Sequence, residues 1–199
     1  MPIAANLGHP RIGVDRELKR AVEGYWRGST TREDLLTTAR ELRERHWRRQ
    51  HDQGIDHIPS NDFSFYDHVL DTAVMVGAVP DRFGGASGTV DLDTYFAMAR
   101  GVQEGSGAAA MEMTKWFDTN YHYIVPELHA QQRFAMSSTK PIDEFLEARA
   151  LGIHTRPVLL GPVSFLLLSK APADDVRPLD LLDDLLPVYA EVLGKLGAA

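Results

Sequence analysis

Two cations lie where the sequence predicts the first turn of a helix. Asp15 is a typical N-cap residue, and the residues after it, Arg16-Glu17-Leu18-Lys19, would begin the helix with Arg16 and Lys19 on one face. The helix dipole disfavours positive charge at this end. The turn is therefore either solvated, with Asp15 and Glu17 offsetting the cost, or an anion site. In that site, free backbone N–H groups and two cations would bind a carboxylate or phosphate.

A second candidate is the run of aromatic, amide and charged side chains between residues 112 and 123. Its composition differs from that of a simple core strand and is typical of loops that carry binding sites. Lys115 would be a further anion contact, and His122 either a general acid or base or a hydrogen-bonded structural histidine. The alternative is a polar network that only fixes the loop.

Carboxylates and a histidine follow the strand predicted at residues 55–59. Asp62, Asp67 and His68 allow a metal interpretation, because barrel enzymes place functional groups after their strands. Their spacing matches no known metal motif, however. We therefore expect Asp62 to cap the helix predicted from residue 63 or 64 to residue 76.

The remaining pattern predicts helices alternating with strands. Helices are expected at residues 30–54, with a capping box from Thr30 to Glu33, and at 91–99, 142–151 and 179–196, the last one kinked or restarted at Pro187. Strands are expected at 133–137 and 156–161, an irregular or partly extended segment at 111–126 and a small-residue linker at 101–110. This order indicates an α/β protein with parallel βα units, and three or four strands are too few for a complete barrel.

The composition limits the classes of ligand. A formal net charge of −7 gives no general attraction to nucleic acid or to an anionic membrane, so any anion must be held by a local group of cations. The absence of cysteine excludes disulfides and thiolate metal sites. We expect no signal peptide, because the N-terminus has neither a basic start nor an apolar run, and the longest apolar run, at residues 163–168, is too short to span a membrane. We expect a cytoplasmic globular protein.

Taken together, these segments resemble the cobalamin-independent methionine synthases. The segments that carry the resemblance span nearly the whole chain in that family's order, and they are Leu7-Gly8-His9-Pro10-Arg11-Ile12-Gly13, the Arg16 to Lys19 turn, Asp62-Phe63-Ser64-Phe65-Tyr66-Asp67-His68-Val69-Leu70-Asp71-Thr72, Met113-Thr114-Lys115-Trp116-Phe117-Asp118-Thr119-Asn120-Tyr121-His122-Tyr123 and Pro157-Val158-Leu159-Leu160-Gly161-Pro162-Val163. His9 departs from the aromatic residue expected at its position. The resemblance implies methyl transfer from 5-methyltetrahydropteroyltriglutamate to homocysteine by a chain with two face-to-face (β/α)8 barrels. Zinc would be bound in the C-terminal barrel by histidine, cysteine and glutamate.

The resemblance covers only about the first quarter of such a protein. It therefore implies a partial (β/α)8 barrel, first half only, with residues 1–199 as a segment of the first barrel. It also implies that Arg16, Glu17, Leu18, Lys19 and Lys115 bind the folate polyglutamate tail, with Glu17 and Leu18 contributing backbone groups. No catalytic residue, metal ligand or cofactor is expected in this segment. The partners would be the folate, and either the missing C-terminal part or a second copy. The alternatives are a non-catalytic binding or interaction module and a truncated product without independent function.

Overall fold

The computed structural model describes residues 2–85, 88–102, 107–172 and 176–199. These residues form a mixed α/β protein that divides into two compact units, Met1–Phe65 with Asp143–Val158 and Tyr66–Ile142 with Leu159–Ala199. The described helices are α1 (Glu17–Trp26), α2 (Arg32–Asp52), α3 (His68–Met75), α4 (Leu92–Arg100), α5 (Lys140–Ala150), α6 (Pro162–Leu167) and α7 (Leu182–Ala198), with 3-10 turns at Asp81–Phe83 and Pro178–Leu181. The described strands are β1 (Ile58–Ser60), β2 (Met113–Lys115), β3 (His122–Ile124) and β4 (Thr155–Pro157).

The first unit contains the parallel pairing that the alternation of helices and strands predicts. β1 pairs with β4 in register Ile58 to Thr155, and an isolated parallel bridge joins Ala5 to His57 on the residue before β1. All three residues of β1 are buried, as is usual for a parallel strand covered on both faces. The Trp47 indole of α2 donates to the Pro59 carbonyl at 3.0 Å and so attaches α2 to this strand. The strand predictions at 55–59 and 156–161 are thus confirmed in shortened form.

The loop between α1 and α2 packs closely against α1 because Gly24 has no side chain. A Cβ placed on Gly24 would lie 2.2 Å from Thr30 Oγ1, so Thr30 packs where another residue of α1 would carry its side chain. Thr30 is therefore not the cap of α2. Thr31 is the N-cap, and its hydroxyl accepts the Asp34 N–H at 3.1 Å. The predicted capping box from Thr30 to Glu33 is wrong by one residue, because the side chain of Thr30 packs against α1 and does not cap α2.

The second unit is built on a core that α3, β3, α6 and α7 share. Its fully buried members include Val69, Phe165, Leu166, Leu185 and Val192. Strands β2 and β3 pair antiparallel, with Lys115 opposite His122, so the segment predicted as irregular or partly extended contains a hairpin.

Two further predictions for the second unit are wrong. Residues 133–137 form no strand, because Ala135 and Ser137 donate their N–H groups to the carbonyls of Val76 and Met75 at the end of α3 rather than to a ladder. Helix α7 runs through Pro187 without a new start, so the restart is wrong, while the kink stays a prediction. Pro187 has no N–H to donate to the carbonyl of Asp183, so the helix continues with one hydrogen bond fewer.

The linker predicted at 101–110 includes residues 103–106, which lie outside the described residues. Among the helices in the described ranges, none combines the length and apolarity that crossing a bilayer requires.

Candidate functional site

The start of α1 has an unusual backbone that sequence reasoning did not predict. Arg16, not Asp15, is the N-cap, and it adopts a left-handed conformation with φ 59° and ψ 35°. Only glycine, asparagine and aspartate visit this region readily, so the surrounding structure must impose it on an arginine. The turn is closed by hydrogen bonds from Arg16 N–H to the Gly13 carbonyl and from Leu18 N–H to the Ile12 carbonyl, both at 3.1 Å.

The loop before this turn is fixed by side chains from elsewhere in the first unit. Asp62 accepts the His9 N–H at 2.7 Å, and the His9 ring stacks on His46 of α2 with ring centroids 4.0 Å apart. The histidine that replaces the expected aromatic residue thus stacks as an aromatic ring does. Burial lowers the pKa of His46 to about 4, so this partner is neutral at pH 7. Asp62 anchors the loop and does not cap α3, which corrects the sequence prediction.

Glu17 occupies the position that an anion would take at the start of α1. Its Oε2 accepts the Asp15 N–H at 2.9 Å, and its Oε1 accepts a hydrogen bond of 2.6 Å from Arg45 Nη2 of α2. The hydrogen bond from Arg45 lowers the pKa of Glu17, with a smaller contribution from its own N–H. The carboxylate of Glu17 therefore connects the backbone before α1 to α2, and Arg45 is a site residue that the sequence analysis missed.

The other predicted residues of the turn have different environments. Leu18 is 1% exposed and anchors the turn in the core, and its N–H is already used. Lys19 Nζ lies 3.5 Å from Glu23 Oε1, one helical turn further on, and both side chains are partly exposed. The guanidinium of Arg16 is exposed and makes no hydrogen bond or ion pair with any residue that the structure describes. Arg16 is thus a cation available to a ligand.

An open groove lies between α1 and α2, entirely within the first unit. It has a volume of about 400 Å³ and is lined by Glu17, Arg20, Thr30, Thr38, Glu41 and Arg45, among others. We call it the α1–α2 groove. Arg45 also borders a second groove of about 490 Å³ along α2, with Arg48 and Arg49. Hydroxyl and guanidinium donors in such an opening suit a carboxylate ligand.

Lys115 is the last residue of β2, in the second unit. Its side chain is exposed and has no hydrogen-bond or ion-pair partner within the described ranges. His122 is directly opposite on β3 and is also exposed, with Nδ1 3.1 Å from the Asn120 carbonyl. Because Arg16 and Lys19 belong to the first unit and Lys115 to the second, their convergence on one anion stays a prediction.

The hairpin that carries Lys115 is attached to α3 by one buried carboxylate. Asp67 is the N-cap of α3, where its Oδ1 accepts the N–H groups of Val69 at 2.7 Å and Leu70 at 3.1 Å. Its Oδ2 accepts the Ile124 N–H of β3 at 3.0 Å. Asp67 therefore has the capping role that the sequence analysis gave to Asp62.

The remaining members of the metal interpretation also have structural contacts. His68 Nδ1 lies 3.1 Å from the Tyr121 hydroxyl, and its ring contacts Trp116 on the hairpin. Across the part of the chain that the structure describes, no group of three or more histidine, aspartate or glutamate side chains is arranged to hold a metal ion.

The fold and these side chains define a mixed α/β protein with an exposed arginine at a helix start and an exposed lysine on a hairpin. Residues 3–199 match the protein family described as cobalamin-independent synthase, N-terminal domain. The chain belongs to this family, which confirms the family that the sequence motifs predict.

Relatives of the chain agree with this assignment. The chain is 63% identical to a protein of Salinibacter ruber over 205 residues, 61% to one of Mesorhizobium japonicum over 210 and 59% to one of Caulobacter vibrioides over 211. Each relative is named 5-methyltetrahydropteroyltriglutamate--homocysteine methyltransferase, and the alignments include 98–100% of this chain. The chain spans about 27% of the length of these relatives.

Proposed function

We propose that the chain is the N-terminal segment of an enzyme that moves a methyl group from 5-methyltetrahydropteroyltri-L-glutamate to L-homocysteine, giving L-methionine. Its contribution is to bind the polyglutamate tail of the folate. The names of relatives at 59–63% identity support the reaction. The observation that carries the binding role is the exposed guanidinium of Arg16, held by a left-handed backbone at the start of α1.

The five predicted residues have distinct roles in this proposal. Arg16, Lys19 and Lys115 provide the positive charge, because the tail is a string of carboxylates and charge-assisted hydrogen bonds are stronger than neutral ones. Leu18 fixes the turn in the core, and Glu17 fixes the backbone that presents Arg16. The guanidinium of Arg16 allows a bidentate contact that a lysine cannot reproduce.

The proposal includes a finer description of the fold. The segment would form the first half of a (β/α)8 barrel and be completed by further chain or by a partner. Three extended segments that pair in parallel support this. β1 pairs with β4, and Ala5 forms an isolated parallel bridge with His57, the residue before β1. Helices lie between these segments in the sequence. A cytoplasmic location belongs to the same proposal, on the basis of the cysteine-free composition.

We further propose that this segment does not itself activate homocysteine. Activation of a thiol at neutral pH needs a metal or a strong base. The chain has no cysteine, and its described carboxylates and histidines do not cluster as a metal site, so its residues do not fit zinc. We expect the chain alone to bind no stoichiometric zinc and to methylate no homocysteine. Elemental analysis showing one zinc per chain, together with turnover, would contradict this.

The tail-binding role is tested by comparing triglutamyl with monoglutamyl 5-methyltetrahydrofolate. The chain should bind the triglutamyl form more tightly, and the difference should shrink with salt, because exposed charges are screened over about 10 Å at 0.1 M ionic strength. Lys115→Ala should weaken the triglutamyl form by about fivefold, which corresponds to an exposed ion pair near 1 kcal/mol, and leave the monoglutamyl form nearly unchanged. Arg16→Lys should act in the same direction.

Lys195→Ala is a matched control, because Lys195 is an exposed lysine of α7 that pairs with Glu191 at 2.9 Å. It should leave both affinities unchanged. Calorimetric titration at two salt concentrations measures all of these values. Equal affinity of the wild-type chain for the two folates would refute the tail-binding role.

A further inference from the structure

The carboxylate of Glu17 binds Arg45 and the Asp15 N–H beside the start of α1, although the proposed ligand is itself a chain of carboxylates. We propose that the α1–α2 groove receives a distal carboxylate of the tail, which replaces Glu17 on the guanidinium of Arg45. Glu17 is then a specificity residue that holds the place of the ligand, and Arg45 is a further ligand-binding residue. This inference rests on the proposed tail-binding function.

Arg45 is suited to such an exchange because about half of its side chain is exposed, although Glu17 itself is only 24% exposed. The Arg45 side chain is 52% exposed, and its 2.6 Å contact with Glu17 Oε1 is at the edge of the groove. Ion pairs at exposed positions contribute little to stability, so exchanging one carboxylate for another is nearly neutral.

Arg43, on the same helix, is much less exposed than Arg45. Its side chain is only 14% exposed and donates twice to Glu147 Oε2, at 3.1 and 2.7 Å, while its guanidinium lies over the Phe63 ring. Arg43 is thus fixed in a structural network of the first unit, whereas Arg45 has room for a ligand.

The groove has further groups that fit a carboxylate. Arg20 lies one helical turn after Arg16, and the hydroxyls of Thr30 and Thr38 border the same opening. A volume of about 400 Å³ accommodates a glutamyl unit. The remaining carboxylate in the lining, Glu41, repels an anion that arrives without other contacts.

The exchange selects for ligands with several carboxylates. Glu17 is part of the chain, so its effective concentration at Arg45 is high and a free monocarboxylate competes poorly with it. A tail that is already bound through one carboxylate at Arg16 and Lys19 presents the next carboxylate at a comparable effective concentration. A monoglutamyl folate has no distal unit to make the second contact.

Two substitutions test the exchange. Glu17→Gln removes the competing charge and should tighten the triglutamyl form by about fivefold, the upper range for an exposed ion pair, without changing the monoglutamyl form. Arg45→Gln should weaken the triglutamyl form by a similar factor. In the double variant the gain from Glu17→Gln should disappear, because both substitutions act on one contact.

Helix α2 provides a matched control pair. Arg48 has the same side-chain exposure as Arg45, 52%, and pairs with Glu44 at 2.8 Å. Arg48→Gln and Glu44→Gln therefore make equivalent changes of charge outside the α1–α2 groove and should leave the preference for the triglutamyl form unchanged.

Calorimetric titration of each variant with both folates, with the unfolding temperature measured alongside, separates the outcomes. If Glu17→Gln weakens triglutamyl binding, the charge of Glu17 does not compete with the ligand and the exchange is overturned. If wild type prefers the triglutamyl form but Glu17→Gln and Arg45→Gln behave as the controls do, the exchange at Arg45 is refuted while the tail-binding function stands. If wild type shows no preference, the proposed function fails first.

Discussion

At the scale of single residues, Asp67 joins two elements that are distant in sequence. One carboxylate oxygen caps α3 and the other accepts from Ile124 on β3, 57 residues away. The residue is 1% exposed. Burial raises the pKa of Asp67 to about 7, although hydrogen bonds from three backbone N–H groups act in the opposite direction. Asp67 is therefore one of the side chains, together with His68, that connect α3 to the hairpin with Lys115.

Asp67→Asn should destabilise the chain by about 1–3 kcal/mol. An asparagine oxygen still caps α3, but its NH₂ group faces the Ile124 N–H, and two donors cannot bond. Asp91→Asn is the control, because Asp91 caps α4 by accepting the Thr94 N–H at 2.7 Å. Asparagine and aspartate are similar as caps, so that change should be nearly neutral. Urea denaturation measures the unfolding free energy of both variants. Equal losses would show that the hydrogen bond between Asp67 and Ile124 of β3 does not contribute to stability.

The raised pKa of Asp67 predicts a pH dependence of stability. Between the ordinary aspartate pKa of 3.8 and about 7, the native state holds a proton that the unfolded chain has released. The contribution of Asp67 to the unfolding free energy is therefore complete below about pH 4 and is lost as pH rises towards 7. The difference in unfolding free energy between wild type and Asp67→Asn, measured from pH 4 to pH 8, should fall across this window. A difference independent of pH would contradict the raised pKa.

At the scale of elements, the contact between α1 and α2 sets the width of the groove that holds Arg45. Gly24 lets Thr30 lie against the backbone of α1, where any Cβ would clash. Glycine inside a helix otherwise costs about 1 kcal/mol relative to alanine. The glycine is thus explained by close approach and not by flexibility.

Gly24→Ala should destabilise the chain by about 1–3 kcal/mol, because the added methyl forces Thr30 away and opens the helix pair. Gly194→Ala in α7 is the matched change, since no atom lies within 4 Å of a Cβ built there. It should stabilise by about 0.5–1 kcal/mol. Thermal unfolding of the two variants checks the opposite signs. A stabilising Gly24→Ala would mean that the helices separate without cost.

At the scale of the whole molecule, apolar side chains remain on the surface of the second unit. Leu186 and Leu193 of α7 are 44% and 58% exposed, and because they are seven positions apart they lie on one face. Leu179, Val163 and Leu167 of the same unit are also exposed. Apolar surface of this kind is typical of an interface with another part of a protein or another copy.

We expect the isolated chain to self-associate through this face. The double variant Leu186→Lys and Leu193→Lys should shift the chain towards monomer, because charged side chains are costly to bury in an interface. Leu36→Lys is the control, since Leu36 is a 43% exposed leucine on α2 in the first unit. Sedimentation velocity at several concentrations gives the mass. A wild-type chain that stays monomeric throughout would contradict the expectation.

The local pattern predicted most of the helices, and the Asp91 cap of α4, but misassigned the residues that begin α1, α2 and α3. Apolar periodicity depends on neighbours within a few turns, so α1 to α5 and α7 were predicted near their observed places. Helix α6 was missed because its six residues are too few to show a period. The caps were misassigned at Asp15, Thr30 and Asp62, because each position offers several suitable side chains and tertiary contacts choose among them.

The sequence by itself determined the family, the α/β class and the charged side chains available for an anion. These depend on residue identity and order, and the match to the family over residues 3–199 agrees with them. Only the tertiary structure decided which carboxylate caps each helix and which arginine forms an ion pair with Glu17. Glu17 and Arg45 are 28 residues apart and on different helices. Their contact results from the packing of α1 on α2, which no local spacing encodes.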